Sequence, residues 1–189
     1  MLEEIQYGID TGKSSFYPGY FVPGNPRFDY KLRIGDVEFL EFKSKAWKPF
    51  QVFQEKEIPV NKMSSHLEKL GKQLSLENVS FIIKFNPYFE SNIIEYWPLP
   101  YLEYPIIMYL QNEEFMTQNS YLVVIYNFID NKYQALQCKL FDAFPSNYNQ
   151  VWIDKLDDES FHKTQMVIEQ FQFSTDSVEV MKDWILTCV

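Results

Sequence analysis

Residues 121–141 read YLVVIYNFIDNKYQALQCKLF. Tyr121–Phe128 is a β-branched and aromatic run, the composition of a strand. Asp130 and Asn131 supply a turn signal. Tyr133–Phe141 follows with an apolar alternation that includes Cys138. Two such runs around a short turn predict an antiparallel hairpin.

Working outward from it, the chain keeps offering strands. Phe28, Tyr30, Leu32 and Ile34 alternate with Asp29, Lys31 and Arg33, which predicts a half-buried strand. Gly35-Asp36 is a turn, and Val37–Lys43 is read as the returning strand of a first hairpin. Its apolar phase slips from Val37 and Phe39 to Leu40 and Phe42, the mark of a bulge. Residues 44–57 show no period. Ile58-Pro59-Val60 begins an edge-like strand, since proline cannot donate to a ladder. Leu74–Phe85 is read as a strand with Val79, Phe81, Ile83 and Phe85 on one face. Phe89–Trp97 and Tyr104–Phe115 have helical spacing, broken by Pro98, Pro100 and Pro105. Phe161–Phe173 is a final strand. Ser174–Val189 is read as a short helix with Val178, Met181, Trp184 and Ile185 on one side.

This pattern predicts a mainly β fold: a β-sandwich or open barrel with two long hairpins and a short helical insertion. It divides into an extended N-terminal arm (1–27), a β domain (28–173) and a C-terminal extension (174–189). The arm is punctuated by Pro18-Gly19 and Pro23-Gly24, yet it carries Phe16, Tyr17, Tyr20 and Phe21. An arm with so many aromatics is expected to pack on its own domain or on a neighbouring copy.

Composition narrows the functional classes. The 189 residues include 17 Phe, 13 Tyr and 4 Trp, far too many aromatics for a disordered chain. The net charge of −9 argues against a general nucleic-acid binder. That charge is uneven: residues 1–72 hold 11 basic and 10 acidic side chains, residues 73–189 hold 6 and 16. All six glycines lie within the first 71 residues, so a glycine-rich phosphate loop has no place after Gly71. Cys138 and Cys188 fit no zinc spacing and read as reduced thiols, Cys138 buried. Met1–Asp10 is acidic and lacks the apolar core of a secretory leader. No run is long enough to span a bilayer.

Catalytic signals are sparse. His66 lies in a polar stretch and His162 has polar neighbours, and both are read as surface residues. Asp154, Asp157, Asp158 and Glu159 lack the glycine and alternating ligands of a calcium loop, so they are read as a solvated turn. No enzymatic activity, cofactor or metal is expected. Lys43, Lys45 and Lys48 interleave with Trp47, Phe50 and Phe53. That mixture suits a single-stranded nucleic-acid patch. A loop that packs its aromatics on protein and exposes its lysines is the favoured reading, and an intermolecular contact built on aromatic anchors is another.

The order of features resembles the tail-tube proteins of T-even-type contractile-tailed phages and the inner tubes of related contractile injection systems. Asn25-Pro26-Arg27-Phe28 leads into an alternating strand. Glu57-Ile58-Pro59-Val60 is similar to the family's E-K-I-P-V segment, and Ser75–Ile83 resembles its T-F-D-D-W-T-V-T-V strand, with Val79 in place of the Trp. Cys138–Phe144 followed by Pro145, Ser146 and Asn147 resembles its strand ending in an aromatic-Pro-x-Asn turn. Leu156-Asp157 and Phe161–Phe173 resemble its closing L-D … F-x-V-T-L stretch. The resemblance spans residues 25–173. Pro98–Asn119 is longer than the family's connection, and Ser174–Val189 is extra.

The resemblance implies a structural virion protein, made in the bacterial host cytoplasm and located in the tail. It implies hexameric rings of the chain itself, stacked into a tube inside a contractile sheath. Sheath and baseplate proteins would be partners. Tape-measure protein and DNA would occupy the lumen without specific binding, and no membrane is involved. Lys45, Trp47, Lys48 and Phe50 would make the ring-to-ring contact, and Phe16, Tyr17, Tyr20 and Phe21 the arm contact. The added segments suit a tube-initiator or adaptor ring at the baseplate. A small-ligand-binding β-barrel, its aromatics lining a cavity, is the rival from another class.

Overall fold

A computed structural model describes residues 2–19, 29–41, 44–53, 58–87, 100–110, 120–141 and 155–188. In chain order its elements are α1 (Leu2–Asp10), β1 (Glu38–Glu41), β2 (Ala46–Pro49), α2 (Pro59–Leu76), β3 (Phe81–Phe85), β4 (Ile106–Leu110), β5 (Ser120–Asn127), β6 (Lys132–Leu140), β7 (Met166–Thr175) and α3 (Val178–Leu186). They fall into two compact units, Met1–Glu55 and Lys56–Val189.

The larger unit grows from the hairpin at its centre. β5 and β6 pair antiparallel from Ser120↔Lys139 to Asn127↔Lys132, around the Asp130-Asn131 turn. Asn131 takes a left-handed conformation there (φ 53°), and the Asn127 side chain accepts the Ile129 and Asp130 amides. β4 and β3 add on one side and β7 on the other, giving a five-stranded antiparallel sheet in the order β3-β4-β5-β6-β7. The protein is therefore mainly β, as its pattern predicts.

The central strands are buried on both faces, which explains why β4 and β5 read as nearly continuous apolar runs. Met108, Leu122, Val124, Tyr126, Tyr133 and Ala135 face α2 and α3. Helix α2 brings down Met63, Leu67, Leu70 and Leu74, and α3 brings Val178, Met181 and Ile185. Burial of each such side chain contributes about 1.5–3 kcal/mol. Ile107, Val123, Ile125, Leu136, Cys138 and Met166 face the other way and meet Leu102.

Two short segments cross to the sheet edges. Phe85 of β3 donates its amide to the Ser160 carbonyl and accepts the His162 amide, both at 2.8 Å. This segment leads into β7, the opposite edge. On β7, Met166 accepts the Leu102 amide at 2.9 Å, and Ile168 donates to Pro100 at 2.8 Å. That segment leads back into β4. Buried Asn86 holds it: its side-chain amide donates to the Leu102 and Tyr104 carbonyls. The two edges are thus partly covered, an open barrel tied across its seam.

Several expected elements take another form. The start of the arm is helical over Leu2–Asp10, not extended. Asp29–Arg33 is a 3-10 turn rather than a strand, with Lys31 buried and Tyr30 48% exposed. The first hairpin therefore forms one step later: β1 pairs forward with β2, which lies inside the stretch without a period. Ile58-Pro59-Val60 opens helix α2, with Pro59 in its first turn, where a missing amide costs nothing. Leu74 and Leu76 end that helix, and the strand starts at Phe81. Tyr104–Phe115 contains β4, not a helix, because a five-residue apolar run with buried side chains on both faces carries no period of its own. The Phe89–Trp97 helix, the Asn25–Phe28 segment and Phe144–Asn147 lie outside the described residues.

Candidate functional site

Site residues expected from the sequence gather in the smaller unit, on the β1–β2 hairpin and the chain before it. Lys45 turns the hairpin in a left-handed conformation (φ 51°) and is exposed. The register sets Leu40 opposite Trp47 and Phe39 opposite Lys48. Cross-strand partners share a face, so the hairpin has two distinct surfaces.

On the Phe39 face, Phe53 meets Phe39 edge-on and stacks on Phe50, each with centroids 5.2 Å apart. Lys48 donates to Glu41 at 2.6 Å on this half-covered side. On the other face, Tyr17 stands edge-on to Trp47 at 6.1 Å. The arm and the hairpin thus meet within the chain. Even so, Tyr17 is 67%, Trp47 52% and Phe16 40% exposed. Beside them runs an open groove of about 860 Å³, lined by Ile5, Ser14–Gly19, Lys31, Asp36, Trp47 and Gln51. Tyr20 and Phe21 lie outside the described residues.

The energetic feature of this unit is what it lacks. Among its described residues no apolar side chain is buried, while Leu2, Tyr7, Ile9, Leu40 and Val52 join the exposed set. Lys31 is its buried side chain. A two-stranded hairpin without a core is marginal by itself in water.

No family model matches this chain, and no solved structure matches it.

Elsewhere, both histidines depart from the surface reading. His66, on α2, stacks on Tyr126 with centroids 3.7 Å apart and 7° between planes. Its Nδ1 lies 3.1 Å from the Tyr133 hydroxyl, which donates to the His66 carbonyl. Burial, then Lys62 and Lys69, hold its pKa below the ordinary histidine value. His162 packs against Tyr109, and burial followed by Lys84 pulls its pKa down to about 4. The helical period of Val60, Met63, Leu67, Leu70 and Leu74 was the available signal for His66, since it places that residue beside the buried stripe. Nothing local marks His162, whose position depends on β3 and β4.

Cys138 is fully buried, and burial raises its pKa to about 12. Asp157 accepts the Ser160 amide at 2.6 Å and Asp158 pairs with Lys163 at 3.0 Å, an exposed turn as expected. Asp154 lies outside the described residues. Among the described residues no group of three or more His, Cys, Asp or Glu is placed to hold a metal ion. Nor is any described helix long and apolar enough to cross a membrane.

Proposed function

We propose that this chain is a structural assembly subunit of the tail-tube type, joining copies of itself into hexameric rings that stack inside a contractile sheath. The observation that carries this reading is the coreless N-terminal unit with Tyr17, Leu40 and Trp47 on its surface. Such a unit gains its missing burial from another protein surface, and aromatic residues are the usual anchors of such contacts. Repeated copies of one chain are the partner that the family resemblance supplies. A head-to-tail contact of this kind propagates into rings and filaments.

The rest of the molecule suits the role. The larger unit is mainly β, and its sheet carries buried clusters on both faces. The acidity of residues 73–189, multiplied around a ring, gives a bore that DNA slides through rather than binds. The mechanism is passive: the tube is a conduit, driven forward when the surrounding sheath shortens.

Negative-stain imaging of the purified full chain with light scattering tests this. Rings or tubes support it, and rings that never stack favour the terminal adaptor. A monomer at high concentration that takes up apolar dyes overturns it in favour of a ligand-binding barrel.

A further inference from the structure

We propose that Ser160–His162 is an acid-released clip on the sheet edge: protonation of His162 unfastens it from β3.

The clip is small and well defined. Two backbone hydrogen bonds tie it to β3, both with Phe85, through the Ser160 carbonyl and the His162 amide. Phe161 lies 5.6 Å from the Phe85 ring. Lys84 donates to the Asp158 carbonyl just before it. Two backbone bonds at the rim of a sheet open far more readily than the central ladder.

The His162 ring is the part of the clip that can sense protons. It stands edge-on to Tyr109 of β4 at 5.7 Å, and Tyr109 in turn meets Tyr121 of β5. Its Nε2 is buried and has no hydrogen-bond partner among the described residues. A neutral ring leaves a lone pair there. A proton would create a buried N–H with no acceptor, which costs more than the lone pair does.

The charged groups around the ring do not relieve that cost. From β3, Lys84 presents a cation that opposes a second one. On its own loop, Lys163 is paired with Asp158 at 3.0 Å, so that carboxylate is already committed. Among the described residues, the Thr164 backbone favours the imidazolium. Release of the segment takes the ring into water, where both difficulties vanish.

Linkage gives the size of the effect. The closed ring titrates at about 4 and a released one at the ordinary 6.5. The released population then rises about 20-fold between about pH 7 and pH 5. This proposal is independent of the assembly reading.

Hydrogen exchange by mass spectrometry on the full chain tests it, after correction for intrinsic exchange. Peptides covering 81–87 and 158–166 should exchange about 20-fold faster at pH 5 than at pH 7, while the β5–β6 ladder holds. A flat response overturns the proposal, as does equal loosening of β5–β6. His162→Gln should abolish the pH dependence, and a persisting rise overturns the proposal too. Should that variant fail to fold, the ring titration of wild-type His162 by NMR decides. A value near 6.5 overturns the clip.

Discussion

A Cβ added to Gly71 would lie 2.7 Å from Cζ of Phe81, so helix α2 meets strand β3 with no room for a methyl group. Gly71 sits mid-helix, where alanine normally gains about 1 kcal/mol. Overpacking a fitted contact costs about 1–3 kcal/mol. Gly71→Ala should therefore destabilise the protein by about 1 kcal/mol in urea unfolding, by the difference of those two effects. Phe81→Leu in the same chain should remove the penalty. A rise in midpoint for Gly71→Ala alone would contradict the contact.

The two thiols should separate cleanly by reactivity. Cys138 is fully buried and its pKa stands at about 12, so almost no thiolate forms at neutral pH. Cys188 is only partly buried, near the end of the last helical turn. Titration of the native chain with a thiol reagent should count one fast group, and the second only on unfolding. Peptide mapping that finds the first label on Cys138 would refute this.

Acid should weaken the hold of α2 on the sheet through His66. Its pKa is lower folded than unfolded, so the contribution is complete above pH 6.5 and is lost as pH falls through the range below it. Between pH 7.5 and pH 5, His66→Gln should lose less melting temperature than the wild type does. Parallel losses in the two proteins would remove His66 from the account.

Ser177 caps helix α3. Its hydroxyl accepts the Val180 amide at 3.3 Å and donates to Glu179 at 2.9 Å. Ser177→Ala should cost about 1 kcal/mol, visible in thermal unfolding, and Ser177→Asp should recover most of it. Full stability of the alanine variant would show that the cap contributes nothing.

Trp47 offers the sharpest separation of assembly from folding. It is 52% exposed, and substitutions at such surface positions usually stay within about 0.5 kcal/mol. An interface anchor costs about 2 kcal/mol or more in association, roughly 30-fold. Under the proposed function, Trp47→Ala should abolish rings while leaving the melting temperature nearly unchanged. Rings at wild-type yield would exclude Trp47 as an anchor.

These expectations were unequally legible in the residues. The β5–β6 hairpin was, because Asp130-Asn131 fixes a turn between two runs that belong in strands. Helix α3 was, because Val178, Met181 and Ile185 repeat at helical spacing. Helix α2 announced itself in the same way from Val60 to Leu74, but Pro59 in its first turn also reads as an edge-strand proline. β4 has both faces buried and so no alternation to read. Asp29–Arg33 alternates like a strand, yet alternation states only which side chains differ, not whether a partner strand is present. The aromatic candidates could be picked out by type, while the edge-on contact of Tyr17 with Trp47 needed the fold.

The crossing segments also set an order on synthesis. β7 is made after every other described strand, and Pro100–Leu102 has no edge to lie on until Met166–Ile168 has left the ribosome. Met181 and Ile185 of α3 follow later still and fill the same core as Leu67 and Leu70. A nascent chain interrupted before Met166 therefore leaves the part of that core that α3 fills uncovered. Products truncated there should be cleared by proteases.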